Sequence, residues 1–415
     1  MLDFMIVSSQ STMPERGFRA RIEEFVSTRW YGKAGVLNLL LPFEYLYVAL
    51  AGWRRKKSLA QRSQAVRLPT VVVGNLVAGG TGKTPVVAEI VTMLQRLGSD
   101  PAIVTRGYGG TSTQWPMLVT DHSDPVLCGD EACELAQVTG VPVVAGPDRV
   151  ASIDFIRQNL KCDIVVSDDG LQHYAMARDL EVVLIDAARR FGNGHRIPVG
   201  PLRESPMRLM HSDLVFVTSS GLSESRSAID PIAAQINQHI CANSQQVASL
   251  YPLSLTPCAA EQLIGATDSN ATGVGDGSLA GAPFVGESCI ALSGIGSPQR
   301  FHDDLRALGC TVKPIALADH QDYRGSFDVA TLERLCAQHW VVTTAKDATK
   351  LRHLLGETGL DNLATRMSKV WVLRRRVEFS TSGKEKLLAA LHGLAEGSSP
   401  AEGSSPAEGS KGDAH

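Results

Sequence analysis

The chain has 415 residues, of which 44% are hydrophobic and 20% charged, and its formal net charge is -3. This length and apolar content are typical of a globular protein with two or three domains and exclude an intrinsically disordered chain. The small negative charge argues against a nucleic-acid partner, because proteins that bind nucleic acid usually carry a basic surplus. The eight cysteines are scattered without a CxxC pair. They favour a reduced, cytoplasmic setting over a zinc site or a disulfide framework.

Residues 1–29 are predicted to be an extension ahead of the folded core. The apolar run after Met1 spans about six residues and lacks the basic start and long core of a signal peptide, so export is not expected. Met13 is an alternative start, and the residues before it are expected to be dispensable.

An almost wholly apolar stretch, AGVLNLLLPFEYLYVALAGW, occupies residues 34–53 and is followed at once by four basic residues. Its length approaches that needed to cross a bilayer. Pro42 and Glu44 lie in its middle, where a proline breaks the hydrogen-bond ladder and a carboxylate is costly in hydrocarbon. We therefore expect residues 30–67 to form two short helical pieces that lie in the membrane interface. The alternative is a buried core helix with a solvated basic end.

From Leu68 onward, short runs rich in β-branched residues alternate with helical patterns. Runs such as LPTVVVGNL, CDIVVSDDG and LEVVLID are typical of strands buried on both faces of a parallel sheet. The alternation predicts an α/β fold with a doubly wound, mostly parallel sheet in residues 68–255.

The remainder of the chain divides into three predicted segments. Residues 256–288 are rich in Gly, Ala, Ser and Thr without a helical or strand period, which predicts a flexible insertion. Residues 289–392 contain further strand-like runs and predict a second, smaller α/β lobe. Residues 393–415 are a polar, low-complexity repeat, which predicts a disordered tail.

The strongest motif is GNLVAGGTGKTP, residues 74–85, directly after a predicted strand and before a predicted helix. Glycines let backbone N–H groups turn toward phosphate oxygens, Lys83 can reach the β- and γ-phosphates of a nucleotide, and the Thr84 hydroxyl can ligate Mg²⁺. The strict spacing is not met, because Val77 stands where a glycine is usual. The motif still indicates a P-loop NTPase-like fold. The predicted nucleotide-binding residues are Val77, Ala78, Gly79, Gly80, Thr81, Gly82, Lys83 and Thr84.

An apolar run that ends in two carboxylates, CDIVVSDDG, occupies residues 162–170. Acids at the end of such a strand are placed to hold Mg²⁺ beside a phosphate-binding loop. Alone, adjacent carboxylates at a strand end are more often turn residues. The upstream loop favours the metal role, so Asp168 and Asp169 are predicted metal ligands.

Further motifs follow in a fixed order: after the apolar N-terminal segment come VVVGNLVAGGTGKTP, RGYGG, GDE, SDDGLQH, GPLRE, ADHQDY and TTAKDATKLR. With this ordered set, over about residues 20–390, the chain resembles the lipid A 4'-kinase (tetraacyldisaccharide 4'-kinase) family. The resemblance implies transfer of the γ-phosphate of ATP to the 4'-hydroxyl of a tetraacylated glucosamine disaccharide 1-phosphate in lipid A biosynthesis. It also implies ATP and Mg²⁺ as cofactors, and an acylated disaccharide phosphate lipid at the cytoplasmic face of the inner membrane as partner.

The resemblance places the catalytic base on two residues, Asp130 of GDE and His320 of ADHQDY, with Lys83 at the transferring phosphate. A base of this kind takes the proton of the attacking hydroxyl and aligns its oxygen. Many relatives carry two histidines where this chain has His320 and Gln321, and the assignment fails if the second is the catalytic one. The sequence defines no role for Gln172 and His173, which follow the two acids.

The same resemblance implies a set of residues around the lipid phosphate and the metal. Arg149 of GPDRV and Arg203 of GPLRE are expected near the lipid phosphate, and Glu204 near Mg²⁺. Arg106 of RGYGG is expected to face either the lipid phosphate or the nucleotide. The turn TTAKD resembles the base-reading turn of some P-loop proteins, although a helix start with an acid near its positive end explains it equally well.

Two other classes of protein stay open from the residues alone. An ATP-dependent carboxylate or amide ligase would use a soluble substrate and would not need residues 34–57. A membrane-attached ATPase switch would need a protein partner, and its hydrolysis of ATP would not respond to lipid.

Overall fold

The computed structural model describes residues 18–60, 67–238, 249–264, 279–296, 298–317, 329–357 and 362–398. Its strands are β1 Thr70–Asn75, β2 Pro101–Thr105, β3 Met117–Val119, β4 Val143–Ala145, β5 Ile164–Asp168, β6 Leu180–Asp186, β7 Leu214–Ser219, β8 Leu250–Gln262, β9 Ser288–Ser293, β10 Thr311–Ala316, β11 Trp340–Thr344 and β12 Val370–Phe379.

The α-helices are α1 Phe18–Trp30, α2 Leu41–Ala60, α3 Lys83–Arg96, α4 Pro125–Cys128, α5 Asp130–Thr139, α6 Arg149–Asn159, α7 Leu222–Ser227, α8 Ile229–Gln238, α9 Pro298–Ala307, α10 Val329–Gln338, α11 Ala345–Glu357, α12 Leu363–Arg366 and α13 Thr381–Ser398. Short 3₁₀ helices lie at Gly35–Leu40, Pro206–His211 and Leu279–Gly281.

The strands form one sheet in the order β10-β9-β11-β12-β8-β7-β6-β1-β5-β2-β4-β3. Strand β1 lies inside it and pairs in parallel with β5 and β6. Because parallel strands end at the same edge, the loop after β1 and the acids at the end of β5 meet there, where Val73 is in register with Asp168. The prediction of a doubly wound, mostly parallel α/β sheet is confirmed.

Both faces of β1 are buried, as its continuous run of valines predicts. Val71 and Val73 pack in a core with Val87 and Ile90 of α3. Val72 points to the opposite face and packs with Ile156 of α6. Helices on the two faces therefore fix the strand that carries the phosphate-binding motif.

A smaller group of strands, β9 to β12, forms the C-terminal lobe together with α9 to α12, as predicted, and it continues the same sheet. The connection is a long antiparallel ladder between β8 and β12, which runs from Leu253 opposite Phe379 to Gln262 opposite Trp371. The predicted insertion therefore starts too early, since residues 256–262 belong to β8. This segment, TPCAAEQ, contains Pro, Ala and Glu, which are depleted in strands, so its pairing with β12 and not its local propensity decides its structure.

Two further predicted boundaries differ from the structure. Phe284, within the predicted insertion, is fully buried, so ordered structure resumes before residue 289. Helix α13 runs to Ser398 because Leu387 and Leu391 anchor it in the core, so the predicted tail begins too early at 393. Residues 265–278 and 399–415 lie outside the described residues.

The N-terminal extension also contains structure, because α1 begins at Phe18. Trp30 at its end donates from Nε1 to the carbonyl of Pro198 at 3.0 Å. The predicted boundary at residue 30 therefore cuts through an ordered helix. Residues 1–17 lie outside the described residues.

The apolar segment forms a 3₁₀ helix followed by the unbroken 20-residue helix α2. The segment thus has two helical pieces, as predicted, but the second is long and not short, because Pro42 is in the first turn of α2, where its missing N–H leaves no unmade bond. Residues 35–60 are together long and apolar enough to cross a membrane, yet only 11% of the most apolar window is buried. The alternative of a buried core helix is therefore excluded.

Large apolar side chains of this segment are exposed over much of its surface: Val36, Leu39, Phe43, Tyr45, Leu46, Leu50 and Trp53. Glu44, in contrast, is buried, with 8% exposure. Its Oε1 accepts the backbone N–H of Arg196 at 2.9 Å, and its Oε2 lies 3.0 Å from Nδ1 of His195. The carboxylate that seemed out of place in the sequence thus fastens the apolar helix to the folded core.

Replacing Glu44 by Ala is expected to lower the free energy of unfolding by about 1–3 kcal/mol, because the N–H of Arg196 loses its acceptor in a buried place. Thermal unfolding measures the change, with Glu385→Ala, an exposed glutamate on α13, as the matched control. Equal unfolding temperatures for the two variants would show that the contact adds no stability.

Candidate functional site

The loop between β1 and α3 has the backbone geometry of a phosphate-binding loop. Gly79 has φ of 105° and Gly82 has φ of 81°, a region that favours glycine. A Cβ on Gly82 would also lie only 2.2 Å from Cδ1 of Leu255. Helix α3 begins at the next residue, so its free N–H groups and positive dipole end point at this loop.

The departure from the usual motif spacing has a structural reason. Val77 is buried and forms a β-bridge with Leu202, and the N–H of Ala78 donates to the carbonyl of Pro201 at 2.8 Å. The N–H of Arg203 in turn donates to the carbonyl of Leu76 at 2.7 Å. The first half of the loop is therefore fixed by the segment around residue 202, so a glycine is not needed there.

Lys83, the first residue of α3, points back across the loop. Its Nζ lies 3.4 Å from Oδ1 of Asn75 and 3.6 Å from Oδ1 of Asp169. Asn75 is the last residue of β1, and its side-chain amide also donates to the carbonyl of Gly79 at 3.3 Å. These contacts hold the ammonium group of Lys83 beside the loop, where it can bind the phosphates of a nucleotide.

The two acids at the end of β5 lie in different electrostatic environments. Asp168 is buried, and burial, followed by the charge of Glu131, raises its pKa to about 7. For Asp169 burial alone would raise the pKa, but Lys83 and Arg203 outweigh it and lower the pKa to about 2. Asp169 is therefore a fixed negative charge at neutral pH, whereas Asp168 gains and loses its proton near neutrality.

Arg203 holds the second of these acids. Its Nη1 donates to both carboxylate oxygens of Asp169, at 2.9 and 3.0 Å, and to Oε1 of Gln172 at 3.2 Å. Gln172 donates from Nε2 to the carbonyl of Asn75 at 3.1 Å. Gln172 thus joins the acid loop to the end of β1, a role that the sequence did not reveal because both partners are distant along the chain.

Arg149 lies behind the site and is buried. It donates from Nη2 to the carbonyl of Asp168 at 3.2 Å and from Nη1 to the carbonyl of Gly146 at 3.3 Å. Burial lowers the pKa of its guanidinium to about 10. The backbone N–H of Arg149 also points at Nε2 of His173, at 3.4 Å. Arg106 directly follows β2, and its side chain is exposed, whereas that of Arg149 is buried.

Glu204 accepts a short hydrogen bond from the hydroxyl of Tyr174, while its Oε1 is buried without a hydrogen-bond partner. Burial and the charge of Glu204 raise the pKa of Tyr174 to about 12. The guanidinium of Arg55, from the basic end of α2, lies 4.8 Å from the centre of the Tyr174 ring.

The N-terminal segment contacts the site at two further points. The hydroxyl of Tyr31 donates to the carbonyl of Ala78 in the phosphate-binding loop at 3.2 Å. The hydroxyl of Tyr47, on α2, donates to the carbonyl of Arg203 at 3.0 Å. These contacts could not be predicted from the sequence, because the same tyrosines are typical of a membrane interface.

Asp130 begins α5 and is only 4% exposed. Its Oδ2 lies 2.8 Å from Nζ of Lys350 and 3.7 Å from Nζ of Lys346. Both lysines belong to α11, which starts at the TTAKD turn. Asp347 of that turn accepts the N–H of Gly294 at 3.0 Å, so it has a local structural role. His320, the predicted partner of Asp130, lies outside the described residues.

A phosphate-binding loop after a central strand and a pair of acids after its neighbour define a P-loop nucleotide-binding protein. The model of the family described as Tetraacyldisaccharide-1-P 4'-kinase matches residues 36–392, and the chain therefore belongs to this family.

Named relatives agree with this assignment. The chain is 34% identical to the Tetraacyldisaccharide 4'-kinase of Psychrobacter cryohalolentis over 383 residues, which cover 90% of this chain and 97% of the relative. It is 36% identical to that of Nitrosococcus oceani, with coverage of 77% and 84%. Among solved structures it is similar to LpxK from Aquifex aeolicus in complex with ATP, with a TM-score of 0.61, 23% identity and coverage of 86% and 99%. At that identity the solved structure supports the fold alone. The resemblance seen in the motifs is confirmed.

Proposed function

We infer that the chain is an ATP-dependent tetraacyldisaccharide 4'-kinase, which transfers the γ-phosphate of ATP to the 4'-hydroxyl of tetraacyldisaccharide 1-phosphate. The product is the bisphosphorylated lipid A precursor. The observation that carries this inference is the family match over residues 36–392 in a chain whose phosphate-binding loop has glycines at positive φ and holds Lys83 near Asp169. No feature of the described residues favours the ligase or the ATPase switch.

In the proposed mechanism the protein supplies position and charge. The N–H groups of the loop and the start of α3 cradle the phosphates of ATP. Lys83 lies beside the γ-phosphate and stabilises the negative charge that spreads over its oxygens during transfer. The ion contact with Asp169 keeps the lysine side chain oriented before ATP arrives.

The residues around the loop suit a magnesium ion. Buried oxygens of Asp168 and Glu204 have no hydrogen-bond partner, and a cation would satisfy them. Among the described residues no three His, Cys, Asp or Glu side chains cluster as a metal site. Magnesium in kinases takes only one or two carboxylates together with phosphate oxygens and water. Bound there, it would neutralise charge on the transferring phosphate. We propose Thr84, Asp168 and Glu204 as its main ligands. Asp169, whose carboxylate is held by Arg203, is proposed as a further ligand that supports them.

The acceptor side of the site is proposed to use Asp130 with His320 as the base that takes the hydroxyl proton. Arg106 is exposed and free to approach a phosphate of the lipid, so we propose it as the direct contact. Arg149 and Arg203 already hold the backbone and side chain of the two acids, and their proposed contribution is to fix these acids and to add positive charge near the lipid phosphate.

We propose that the apolar surface of α2 and residues 54–57 dock the protein on the cytoplasmic face of the inner membrane. Exposed leucine and aromatic side chains would enter the acyl region while the basic end meets anionic headgroups. Extraction of several acyl chains from the bilayer would be prohibitive, at about 0.8 kcal/mol for each CH₂. A docked enzyme reaches the headgroup of its substrate without that cost.

Phosphate transfer from γ-labelled ATP to purified tetraacyldisaccharide 1-phosphate in detergent micelles tests the proposed function. We expect labelled bisphosphorylated lipid with magnesium, none after chelation, and none from Lys83→Met, because the transferring phosphate loses its cation. Labelled inorganic phosphate without labelled lipid would instead support the ATPase switch, and label on a carboxylate or amide product would support a ligase.

Membrane docking predicts that Leu39→Glu/Leu46→Glu binds anionic vesicles more than ~10-fold more weakly than the native chain, because two exposed leucines no longer enter the bilayer. Cosedimentation with vesicles measures this, and Leu118→Glu, at an exposed leucine of β3, is the matched control. Equal binding by the double variant and the control would rule out the apolar surface of residues 35–53 as the docking surface.

A further inference from the structure

Helix α11 of the C-terminal lobe brings two cations, Lys346 and Lys350, close to Asp130. Asp130 is the first residue of α5, which lies outside the C-terminal lobe. We propose that Lys350 is a positioning residue for phosphoryl transfer, which acts by holding the carboxylate of Asp130, with Lys346 in support. This inference rests on the proposed function, since it assumes that Asp130 serves the acceptor hydroxyl.

The contact is close and shielded from water. Nζ of Lys350 lies 2.8 Å from Oδ2 of Asp130, and the two side chains are 11% and 4% exposed. An ion pair at this distance and burial is stronger than an exposed pair, because solvent screens it less. Lys346 is farther from the same oxygen, at 3.7 Å, and lies 3.5 Å from Oε1 of Glu131.

The other carboxylate oxygen of Asp130 is held by its own helix. Its Oδ1 accepts the backbone N–H of Glu131 at 3.1 Å. With one oxygen fixed by α5 and the other by Lys350, the plane of the carboxylate is set from two sides. A base has to be aligned with the proton that it takes, so loss of one of these holds misaligns the group.

The surroundings of Asp130 explain why cations are needed there. Other acidic groups and two thiols face or neighbour it: Glu131, Glu134, Cys128 and Cys133. Burial, with Glu131 and Asp130 nearby, raises the pKa of Glu134 to about 8. A partly buried cluster of acids without cations would take up protons, and a protonated Asp130 could not accept one from a hydroxyl.

The register between α11 and the helices beside Asp130 is set by two further contacts. Oγ1 of Thr349 donates to Oε1 of Gln137 at 3.1 Å, and Nε2 of His353 lies 3.2 Å from Oδ1 of Asp124. These contacts flank Lys350 along α11. The C-terminal lobe therefore takes part in the geometry of the acceptor site, and the TTAKD turn begins the helix that does so.

The test compares kcat and the KM for ATP in the native full-length chain and its variants. Lys350→Met keeps the length of the side chain and removes its charge, and Lys350→Arg keeps the charge. We expect Lys350→Met to lower kcat by about 10- to 100-fold, a part of what a general base contributes, with little change in the KM for ATP. Lys350→Arg is expected to recover most of the loss.

Two references accompany these variants. Arg352→Met removes a cation from the same helix, one that pairs with Glu261 at 2.7 Å and not with Asp130, and is expected to keep a native kcat. Asp130→Asn gives the full cost of losing the carboxylate. We expect the double variant Asp130→Asn/Lys350→Met to be no slower than Asp130→Asn alone, because the lysine acts through the aspartate.

The possible results distinguish the positioning role of Lys350 from the role of Asp130 in the proposed function. A large loss in Asp130→Asn with a native kcat in Lys350→Met, or losses that multiply in the double variant, would overturn the positioning role alone. A native kcat in Asp130→Asn would overturn the role of Asp130 in the proposed function. An equal loss of kcat in Arg352→Met and Lys350→Met would indicate a general structural effect of α11 and would also overturn the positioning role.

Discussion

The carboxylate of Asp169 is the point on which the nucleotide site depends. It lies between the ammonium of Lys83 and the guanidinium of Arg203, and each of the three residues comes from a different segment of the chain. Burial opposes a charge at this place, and the two cations outweigh that opposition. The contact thus joins the phosphate-binding loop, the end of β5 and the loop around residue 203 before any ligand is present.

The N-terminal segment shows how a helix with exposed apolar side chains can also contact a nucleotide site. Two polar side chains of α2 are directed inward, where Glu44 accepts the N–H of Arg196 and Tyr47 donates to the carbonyl of Arg203. Large apolar side chains of the same helix, such as Phe43, Leu46 and Leu50, are exposed. Under the proposed docking, one helix would meet the membrane and also contact the nucleotide site, which accounts for a carboxylate in a sequence that otherwise reads as a membrane segment.

The local parts of the site could be predicted from sequence. A buried strand, a glycine-rich loop and a helix are adjacent in the chain, and so are the strand of β5 and its two acids, so the P-loop and Asp168 and Asp169 follow from pattern alone. The contacts of Glu44 with Arg196, of Asp130 with Lys350 and of Gln172 with Asn75 could not be predicted, because the two residues of each pair are more than ninety positions apart along the chain. The C-terminal end of β8 was predicted wrongly for a related reason, because its pairing with the distant strand β12 overrides the weak strand propensity of residues 256–262.

The surroundings of the arginines could not be predicted from the sequence, because only the family resemblance indicates a role for them. Arg149 and Arg203 have similar contexts in the sequence, each shortly after a Gly-Pro pair. Arg149 is buried and donates to the backbone carbonyl of Asp168, whereas Arg203 donates to the carboxylate of Asp169. Such differences depend on which strand ends meet at the sheet edge. They arise only once the order β6-β1-β5 is fixed.

A double-mutant cycle of Asp169→Asn and Arg203→Met, read as kcat for phosphate transfer, tests most directly whether the Asp169 contact organises the site. We expect a large loss of kcat for each single variant and a double variant no slower than the less active single variant, with a coupling free energy of about 1–3 kcal/mol. Losses that multiply, with no coupling between the two positions, would show that Asp169 and Arg203 act independently and that their contact does not organise the site.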